Sequence, residues 1–407
     1  MLKRNTIETV HAAQPEENGL VGRLSHLSSQ VIGAFISARN SILMNSEFQR
    51  VAPSLPVGGA VTRRMTRSLF DHCAGFIYSQ VLAACVELDL FVRIKDGAVP
   101  VPVLAKESGI PLEAFRRLCL AAASLGFFEM RPSDRVCLGV NGAALMGNPS
   151  VFAMISHHAL LYKDLTNPVD FLRTKRGDTH LGRYWAYAGT NTGQTDETDN
   201  IASDAVDAYT QLMAATQAFI ADEVLRVAPL SEVKSLLDLG GGAGVFAART
   251  KAQFPHLDVT VLDLPPVVEV AQEKQAEASA GPFGSTDDVN FVGGDFIGGP
   301  IPQGSDAISL VRILHDHDDN AAHRILDNAY DALPDGGRLI VAEPMAGTTG
   351  AKPIGDAYFG MYLWAMGSGR PRQASELKSM LRAHGFKSVR ENRTRQPLLV
   401  RVLTSVK

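Results

Sequence analysis

One histidine and one acid follow apolar runs in the second half of the 407-residue chain, where they could move a proton. His315 comes after the run 310–314, and Glu343 closes the run 339–343. A neutral imidazole can take a proton from a hydroxyl group, and a carboxylate on its other ring nitrogen fixes the tautomer. We therefore predict that His315 is a general base supported by Glu343. The alternative is that His315 and Asp316 only close a strand and cap a helix over 320–333.

A glycine-rich turn follows another apolar run. Asp238 precedes Gly240, Gly242 and Gly244, and Asp263 closes the next apolar run. Glycines are needed where the backbone passes close to a ligand, because a Cβ would strike it. A strand, spaced glycines, a helix and a strand-end acid about twenty residues later predict a nucleoside-binding βαβ unit.

The glycine spacing bears on which nucleoside is bound. It is G-x-G-x-G rather than the G-x-G-x-x-G of dinucleotide sites. Together with Asp238 it favours a ligand that lacks phosphates and has a cationic amino acid tail, as S-adenosylmethionine has. Asp263 would accept hydrogen bonds from the ribose hydroxyls, and Asp295 from the adenine amino group, with Phe296 packed on the ring. The alternative for the glycine motif is a turn in another kind of α/β sheet. The alternative for Asp295 is an acid that ends a strand and begins a turn.

A second pattern overlaps the predicted base. His315, His317 and Asp319 satisfy H-x-H-x-D, which supplies zinc ligands in metallo-β-lactamase-type hydrolases. The next residue there is His, whereas this chain has Asn320. Those hydrolases also have no upstream glycine turn. We therefore predict that the chain has no metal site.

Composition narrows the class of protein. A net charge of −4 and a pI near 6.3 give no electrostatic case for nucleic acid. The four cysteines have no C-x-x-C spacing, which favours buried, reduced thiols. No unbroken apolar run approaches the roughly 20 residues of a membrane span, and the N-terminus has no signal-peptide apolar region. We predict a cytoplasmic protein and leave a peripheral contact with the inner membrane open.

Three regions follow from the pattern along the chain. Residues 1–58 are predicted to be a flexible N-terminal arm. Residues 59–200 are predicted to be a winged-helix-like dimerisation and substrate-capping domain, from helical patterns at 81–93, 102–108 and 112–125 and a hairpin over 127–139. The helix at 112–125 has too few charges to bind DNA phosphates. Residues 201–407, which begin with a long amphipathic segment at 201–227, are predicted to bind S-adenosylmethionine.

The third region alternates strands with helices, which predicts an α/β fold with a doubly wound seven-stranded sheet. The strand candidates are 233–239, 259–263, 289–293, 307–314, 338–343, 388–393 and 398–403. The last two have no room for a helix between them, so we expect an antiparallel edge pair. Ligands of such sheets bind outside the carboxyl ends of the strands, where the predicted base and glycine turn would meet.

In this order the motifs resemble the acetylserotonin and caffeate type of class I O-methyltransferase, over about residues 65 to 405. The resemblance implies a homodimer, S-adenosylmethionine as cofactor, His315 as the base and Glu343 as its support. It implies cofactor contacts from Asp238, Gly240, Gly242, Asp263, Leu264, Asp295 and Phe296, with Arg312 beside them and Met213 and Gln217 closing over the ligand.

Two positions depart from the family pattern. His317 stands where the family has a tryptophan, so an aromatic side chain near the base is lost. Pro371 stands where the family has a second supporting acid, so support of the base would rest on Glu343 alone. The loss of the acid pair, which orients an aromatic ring in the family, disfavours a phenol as the methyl acceptor.

The segment 154–165 and the run 369–372 resemble one branch, the hydroxyneurosporene or demethylspheroidene O-methyltransferases, which methylate a tertiary hydroxyl of a carotenoid. The resemblance implies an apolar tunnel for the polyene, walled by the insert 358–366, which could equally be a core or dimer helix. Candidate substrate residues are His158, Tyr162, Met361 and Trp364. The alternatives are another apolar or phenolic acceptor, or a winged-helix regulator that binds the cofactor.

Overall fold

The computed structural model describes residues 20–55, 58–184, 217–277 and 288–407, and it divides into two compact units, 1–80 and 81–407. The first unit holds helices α1 (Leu20–Met44) and α2 (Ser46–Val51) and most of α3 (Gly58–Glu87). The described part of the predicted flexible arm is therefore mostly helical. Large apolar side chains on α1 and α3 are exposed, among them Phe35, Leu69, Phe70 and Phe76.

Helix α3 corrects one expectation from the sequence. It is 30 residues long and, by length and composition alone, apolar enough to span a membrane. This helix carries polar residues between its apolar ones, so no single apolar run marks it in the sequence. Core helices of water-soluble proteins pass the same test, although only 6% of the apolar window is buried here.

The second unit begins with a small α/β subdomain. Helices α4 (Leu90–Arg93), α5 (Val101–Glu107) and α6 (Leu112–Ser124) precede the hairpin of β2 (Phe128–Arg131) and β3 (Arg135–Leu138), which confirms the predicted hairpin. The short strand β1 (Val99–Pro100) pairs with β3. Helix α7 (Val140–Met146) follows. The likeness to a winged helix, its role in dimerisation and the domain boundaries stay predictions.

Burial of the cysteines follows their place in the fold. Cys85 and Cys119 are fully buried in the core of this subdomain, and burial raises their pKa values to about 12 and about 11. Both are therefore unreactive thiols. Cys73 is exposed and Cys137 is half-buried, so the prediction of buried thiols is wrong for Cys73.

A seven-stranded sheet forms the rest of the second unit. Its strands are β4 (Ser235–Leu239), β5 (Asp258–Asp263), β6 (Val289–Gly293), β7 (Ala307–Val311), β8 (Arg338–Glu343), β9 (Lys387–Asn392) and β10 (Arg401–Val406). Their order is β6-β5-β4-β7-β8-β10-β9, parallel except for β10, which is antiparallel to both neighbours. The doubly wound sheet and its antiparallel edge pair are confirmed. Strand β7 ends before Leu314, where a single 3₁₀ turn, Leu314–Asp316, begins.

Alternate residues of the central strands face opposite cores, as the two-residue period of a strand requires. Leu339 and Val341 of β8 pack with helices α14 (Asp319–Ala332) and α16 (Ala374–Ala383). Ile340 and Ala342 pack with the other core, which contains α12 (Val245–Gln253) and the helix α11 at 217–225. Helix α13 (Pro265–Glu277) follows β5. The strand ends are thereby held between two rigid layers.

The insert after β8 is a π-helical turn, Pro353–Phe359, that continues into α15 (Gly360–Met366). Its buried residues Tyr362, Leu363 and Met366 pack with Leu161 of α8 (Pro149–Asp164). Helices α9 (Pro168–Arg173) and α10 (His180–Tyr184) complete this cluster. The insert thus has a core of its own, and π-helical turns occur often at functional sites.

Candidate active site

The glycine turn depends on backbone angles that favour glycine, and at Gly240 it also leaves no room for a side chain. Gly240, Gly242 and Gly244 have φ angles of 70°, 58° and 76°, which L-residues rarely adopt. A Cβ on Gly240 would lie 2.4 Å from the Cδ1 atom of Ile313 and 3.5 Å from a ring carbon of Phe296. The turn therefore lies against the end of β7 with backbone alone facing outward.

Asp263 joins the end of β5 to this turn. Its Oδ2 accepts the N–H of Gly242 at 2.8 Å, and its Oδ1 accepts the N–H of Leu264 at 2.8 Å. Burial raises the pKa of Asp263 to about 6, although both backbone bonds favour the charged form. A carboxylate held in this way can also accept hydroxyl groups of a ligand.

Asp238, at the end of β4, is 1% exposed. Ser309 donates its hydroxyl to Oδ1 at 2.6 Å, while Oδ2 is buried without a hydrogen-bond partner among the described residues. A Cβ on Gly241 would lie 2.4 Å from that oxygen. Burial raises the pKa of Asp238 to about 7, as expected for a carboxyl group that lacks a cation. An orphaned carboxylate oxygen beside a glycine cradle fits a ligand with a cationic amino acid tail.

Phe296 and Asp295 flank the same turn beyond β6. Phe296 is 8% exposed, and its backbone oxygen accepts the side-chain amide of Asn328 at 2.9 Å. Asp295 is exposed and accepts the N–H of Ile297 at 2.8 Å. The acid therefore begins a turn, as its alternative interpretation stated, and still has carboxylate oxygen facing solvent for a ligand.

Of the three remaining cofactor candidates, the structure describes Arg312 and Gln217. Arg312 has a φ of 61° at the end of β7, and its N–H bonds the oxygen of Ala342 at 2.8 Å. The pKa values of His315 and Asp316 are both raised, and the positive charge of Arg312 partly opposes each rise, so its side chain belongs to the same cluster. Gln217 is half-buried at the start of α11. Met213 lies outside the described residues.

His315 and Glu343 form the buried pair at the centre of the site. They are 4% and 2% exposed, and Nδ1 of His315 hydrogen-bonds Oε2 of Glu343. The other oxygen, Oε1, accepts the N–H groups of Ile313 at 3.0 Å and Leu314 at 2.7 Å. Glu343 thus holds both the ring and the backbone that carries it.

Asp316, which the sequence suggested only as a strand end or helix cap, also contacts the imidazole. Its Oδ1 lies 3.1 Å from Nε2 of His315. Burial lowers the pKa of His315, but the negative charges of Asp316 and Glu343 outweigh it, so the pKa lies above its ordinary value of 6.5. Each ring nitrogen of the histidine therefore faces a carboxylate.

His317 replaces the tryptophan of the family and is neutral. Burial, followed by the charge of His315, lowers its pKa to about 4. Its ring contacts Phe296 edge to face, with centroids 6.0 Å apart. Its Nδ1 is buried and makes no hydrogen bond within the described part of the chain. His317 therefore places an aromatic ring against Phe296 beside the glycine turn.

The substrate candidates on α8 pair with the insert. His158 Nε2 lies 2.8 Å from the hydroxyl of Tyr358, and His157 Nε2 lies 2.8 Å from that of Tyr362. The ring of Tyr162 meets His158 edge to face at 6.4 Å. Burial lowers the pKa of His157 to about 4 and that of His158 below its ordinary value, so both histidines are neutral.

The insert also reaches the predicted base. Phe359 contacts the ring of His315 edge to face, with centroids 5.9 Å apart. Met361 packs against the cluster around Leu161. Trp364 is 36% exposed, and the guanidinium of Arg176 lies 5.6 Å above its ring. The insert therefore turns Phe359 toward the base and Trp364 toward the surface.

The alternative zinc pattern is not accompanied by a metal cluster. No group of three or more histidine, cysteine or acidic side chains that could hold a metal ion occurs in residues 20–55, 58–184, 217–277 and 288–407. The imidazole of His315 is instead held by two carboxylates.

Comparison with known proteins identifies the family. The sequence pattern described as an O-methyltransferase domain matches residues 162–387, more than half of the chain. The chain belongs to this family. Demethylspheroidene O-methyltransferase of Rhodobacter capsulatus is 37% identical over 366 residues, 89% of this chain and 87% of its own. The enzyme of the same name from Cereibacter sphaeroides is 35% identical over 399 residues, 97% and 98% of the two chains.

The fold agrees with a solved member. Human N-acetylserotonin methyltransferase in complex with S-adenosylmethionine superposes with a TM-score of 0.68 at 22% identity, covering 84% of this chain and 97% of that one. The resemblance found in the sequence is confirmed. The chain is an S-adenosylmethionine-dependent O-methyltransferase, with S-adenosylmethionine as its expected cofactor.

Proposed function

We propose that this enzyme methylates the tertiary hydroxyl of a hydroxylated carotenoid, a 1-hydroxy group of the hydroxyneurosporene type, with His315 as general base. The observation that carries the proposal is the buried pair of His315 and Glu343, whose bond through Nδ1 puts Nε2 on the opposite side of the ring, where a hydroxyl could take the place of Asp316. The names of the two bacterial relatives support the carotenoid acceptor.

The proton transfer is derived from the hydrogen bonds of Glu343. Because both of its oxygens accept hydrogen bonds, it requires a proton on Nδ1 and leaves the lone pair on Nε2. The bound cofactor supplies an electrophilic methyl group on a sulfonium. The substrate hydroxyl would replace Asp316 on Nε2 and give its proton to His315 as the new O–C bond forms and the S–C bond breaks, with the sulfur leaving as a neutral thioether. Glu343 then stabilises the imidazolium.

A tertiary alcohol is a weaker acid than a phenol, so its methylation needs a stronger base. The carboxylates of Asp316 and Glu343 raise the pKa of His315 despite its burial. The raised pKa makes the imidazole a better proton acceptor. This direction supports an aliphatic hydroxyl as the acceptor.

The surroundings of the base suit an apolar chain. Phe359 covers one side of His315, and the nearby histidines on α8 are neutral and paired with tyrosine hydroxyls. Polar groups that are already paired demand no partner from a substrate, so a polyene could lie along them without leaving hydrogen bonds unmade. We propose that His158, Tyr162 and Met361 border the acceptor, with Trp364 at its outer end.

For the cofactor, we propose that Asp263 binds the ribose hydroxyls, and that Asp238 neutralises the cationic tail. Gly240, Gly242 and Leu264 would contribute backbone contacts. Asp295 and Phe296 would hold the adenine, and Arg312, Gln217 and Met213 would border the ligand. The fit rests on the glycine cradle and on the unpaired buried oxygen of Asp238.

We further propose a cytoplasmic homodimer that reaches its substrate through peripheral contact with the inner membrane. The exposed apolar side chains of α1 and α3 support burial against another surface. Light scattering in solution tests the dimer, and co-sedimentation with vesicles of inner-membrane lipids tests the contact. A monomer, or protein that stays in the supernatant, would contradict the respective part.

The acceptor is tested with cofactor that carries a labelled methyl group. The panel is an acyclic 1-hydroxycarotenoid, the same carotenoid without the hydroxyl, and two phenols, with products analysed by mass spectrometry. We expect label only on the hydroxycarotenoid. Equal or faster labelling of a phenol would assign the enzyme to another acceptor. A His315→Ala variant that binds cofactor normally but keeps its turnover would remove the proposed base.

A further inference from the structure

The run Ser368–Arg372, where the family resemblance leads one to expect a second acid, lies against the turn that carries His315. Gly369 has a φ of 77°, and a Cβ there would lie 2.0 Å from the backbone oxygen of His315. Its N–H bonds Asp318 at 3.0 Å, and the hydroxyl of Ser368 bonds the backbone oxygen of Asp316 at 2.5 Å. Only glycine allows the two segments to approach so closely.

Arg372 makes the largest set of contacts between these segments. Its side chain is only 2% exposed, and it donates to the backbone oxygens of Leu314 and of His317, the latter at 2.8 Å. Asp319 balances its charge at 2.7 Å. A buried guanidinium that bonds the carbonyls on both sides of His315 fixes the direction of that turn.

The base is thereby held from two sides. Glu343 accepts the N–H groups that enter the turn, and Arg372 donates to the carbonyl groups within and after it. Arg372 itself is anchored beyond β8, because its backbone oxygen accepts the N–H of Ala346 at 3.0 Å. Both supports are therefore tied to the same part of the chain: Glu343 ends strand β8, and Arg372 is bonded to Ala346 just after it.

We propose that Arg372 is a positioning residue for the catalytic base, acting through the backbone of residues 314–317 rather than on the substrate. The inference rests on the proposed function, since it takes His315 as the base. Arg372 and the missing second acid would both help to orient the site, but they would do so by different contacts. Arg372 orients the backbone turn, whereas an acid would bond the ring or the substrate.

The test compares Arg372→Gln with Arg372→Lys and with a matched control, Arg370→Gln. Arg370 lies in the same run and also pairs with Asp319, but its side chain is 41% exposed and its other partner is Glu376. Measurements are kcat and KM for both substrates, cofactor affinity by calorimetry, melting temperature, and kcat against pH. All rates are taken well below the melting temperature of each variant.

We expect Arg372→Gln to lower kcat about 100-fold, the loss typical of a displacement of about 1 Å at a catalytic group. Cofactor affinity should stay within about threefold, because the side chain of Arg372 bonds Leu314, His317 and Asp319 and, within the described part of the chain, none of the cofactor candidates. Arg372→Lys should recover part of kcat, since an ammonium can bond one carbonyl but not form the fork. Arg370→Gln should stay within about threefold of the wild type.

The pH profile separates positioning from a purely structural role. The groups that face His315 or interact with its charge include Glu343, Asp316, Arg312, His317 and Phe359. If the turn shifts, the ring of His315 moves away from the carboxylate of Glu343, and the acid limb of kcat should move to lower pH. Loss of folded protein alone would lower the amplitude and leave the limb in place.

The inference would be overturned if folded Arg372→Gln had the kcat of the wild type and its acid limb lay at the same pH. If that variant does not fold, Arg372→Lys decides in the same way. In a His315→Ala background, adding Arg372→Gln should lower kcat by less than about twofold, because the effect of Arg372 passes through the imidazole. A His315→Ala protein with wild-type turnover would instead remove the proposed base, whatever Arg372 does.

Discussion

Replacing Glu343 by glutamine removes the charge of the support and keeps its shape. One oxygen of Glu343 accepts two backbone N–H groups and the other bonds Nδ1 of His315. In Glu343→Gln the amide can keep only one oxygen. It should face the two backbone donors, because the opposite orientation would leave both of them buried and unpaired.

The amide nitrogen then faces Nδ1, and two donors cannot bond each other. The imidazole must accept at Nδ1 and carry its proton on Nε2, the tautomer that cannot take a proton from the substrate. The same change of tautomer in a serine protease triad lowers kcat about 10⁴-fold. General base catalysis is typically worth about 10² to 10⁴ in rate, so we expect a loss in that range.

The assay is single-turnover transfer of a labelled methyl group, with cofactor affinity and chemical denaturation measured on the same samples. Glu343→Gln should bind cofactor normally and lose little stability. Glu343→Ala is the comparison variant, since it leaves two buried N–H groups unpaired at a cost of about 1–3 kcal/mol each in the free energy of unfolding. Turnover of Glu343→Gln within threefold of the wild type would refute the assignment of the tautomer.

Further predictions concern the pH profile, the glycine turn and the substrate wall. In the wild type kcat/KM should fall as the pH drops below the raised pKa of His315, and Asp316→Asn, which removes a charge that raises this pKa, should move the fall to lower pH. Gly240→Ala should weaken cofactor binding at least about tenfold and lower the melting temperature, measured by calorimetry, because its Cβ has no space and φ is 70°. Tyr358→Phe should cost about 1–3 kcal/mol of unfolding free energy in a denaturation experiment by orphaning His158, with a larger effect on acceptor KM than on cofactor affinity.

The sequence was sufficient for those parts of the site that follow from strand topology. The carboxyl ends of parallel strands meet at one edge, so His315, Glu343 and Asp263 could be brought together without coordinates. The doubly wound sheet and its antiparallel edge pair needed only the alternation of strands with helices and the short connection before β10, whereas the order of the strands was not predicted. The error at the end of β7 arose because the apolar run continues into a 3₁₀ turn, which periodicity does not distinguish from a strand.

Contacts between segments far apart in the chain could not be found in this way. The bonds of His157 and His158 to the insert span about two hundred residues and depend on how two helices rotate against each other. Adjacent histidines on α8 and tyrosines four residues apart in the insert were the available signal. Whether Asp316 contacts the ring of His315 depends on the direction of its side chain. A residue next to the base in sequence contacts that ring only in a tight turn.

These contacts give a physical reason why Pro371 can stand where the family has a second supporting acid. A second carboxylate on the same side of the imidazole as Glu343 would compete for the one Nδ1 proton, whereas Asp316 lies on the other side of the ring, at Nε2, and does not compete for that proton. The orientation that a second acid would supply comes here from Arg372, which acts on the backbone and adds no negative charge beside the acceptor. An apolar substrate, with no ring hydroxyls to orient, requires only the hydroxyl that reacts to be placed, and a single well-held imidazole can do this.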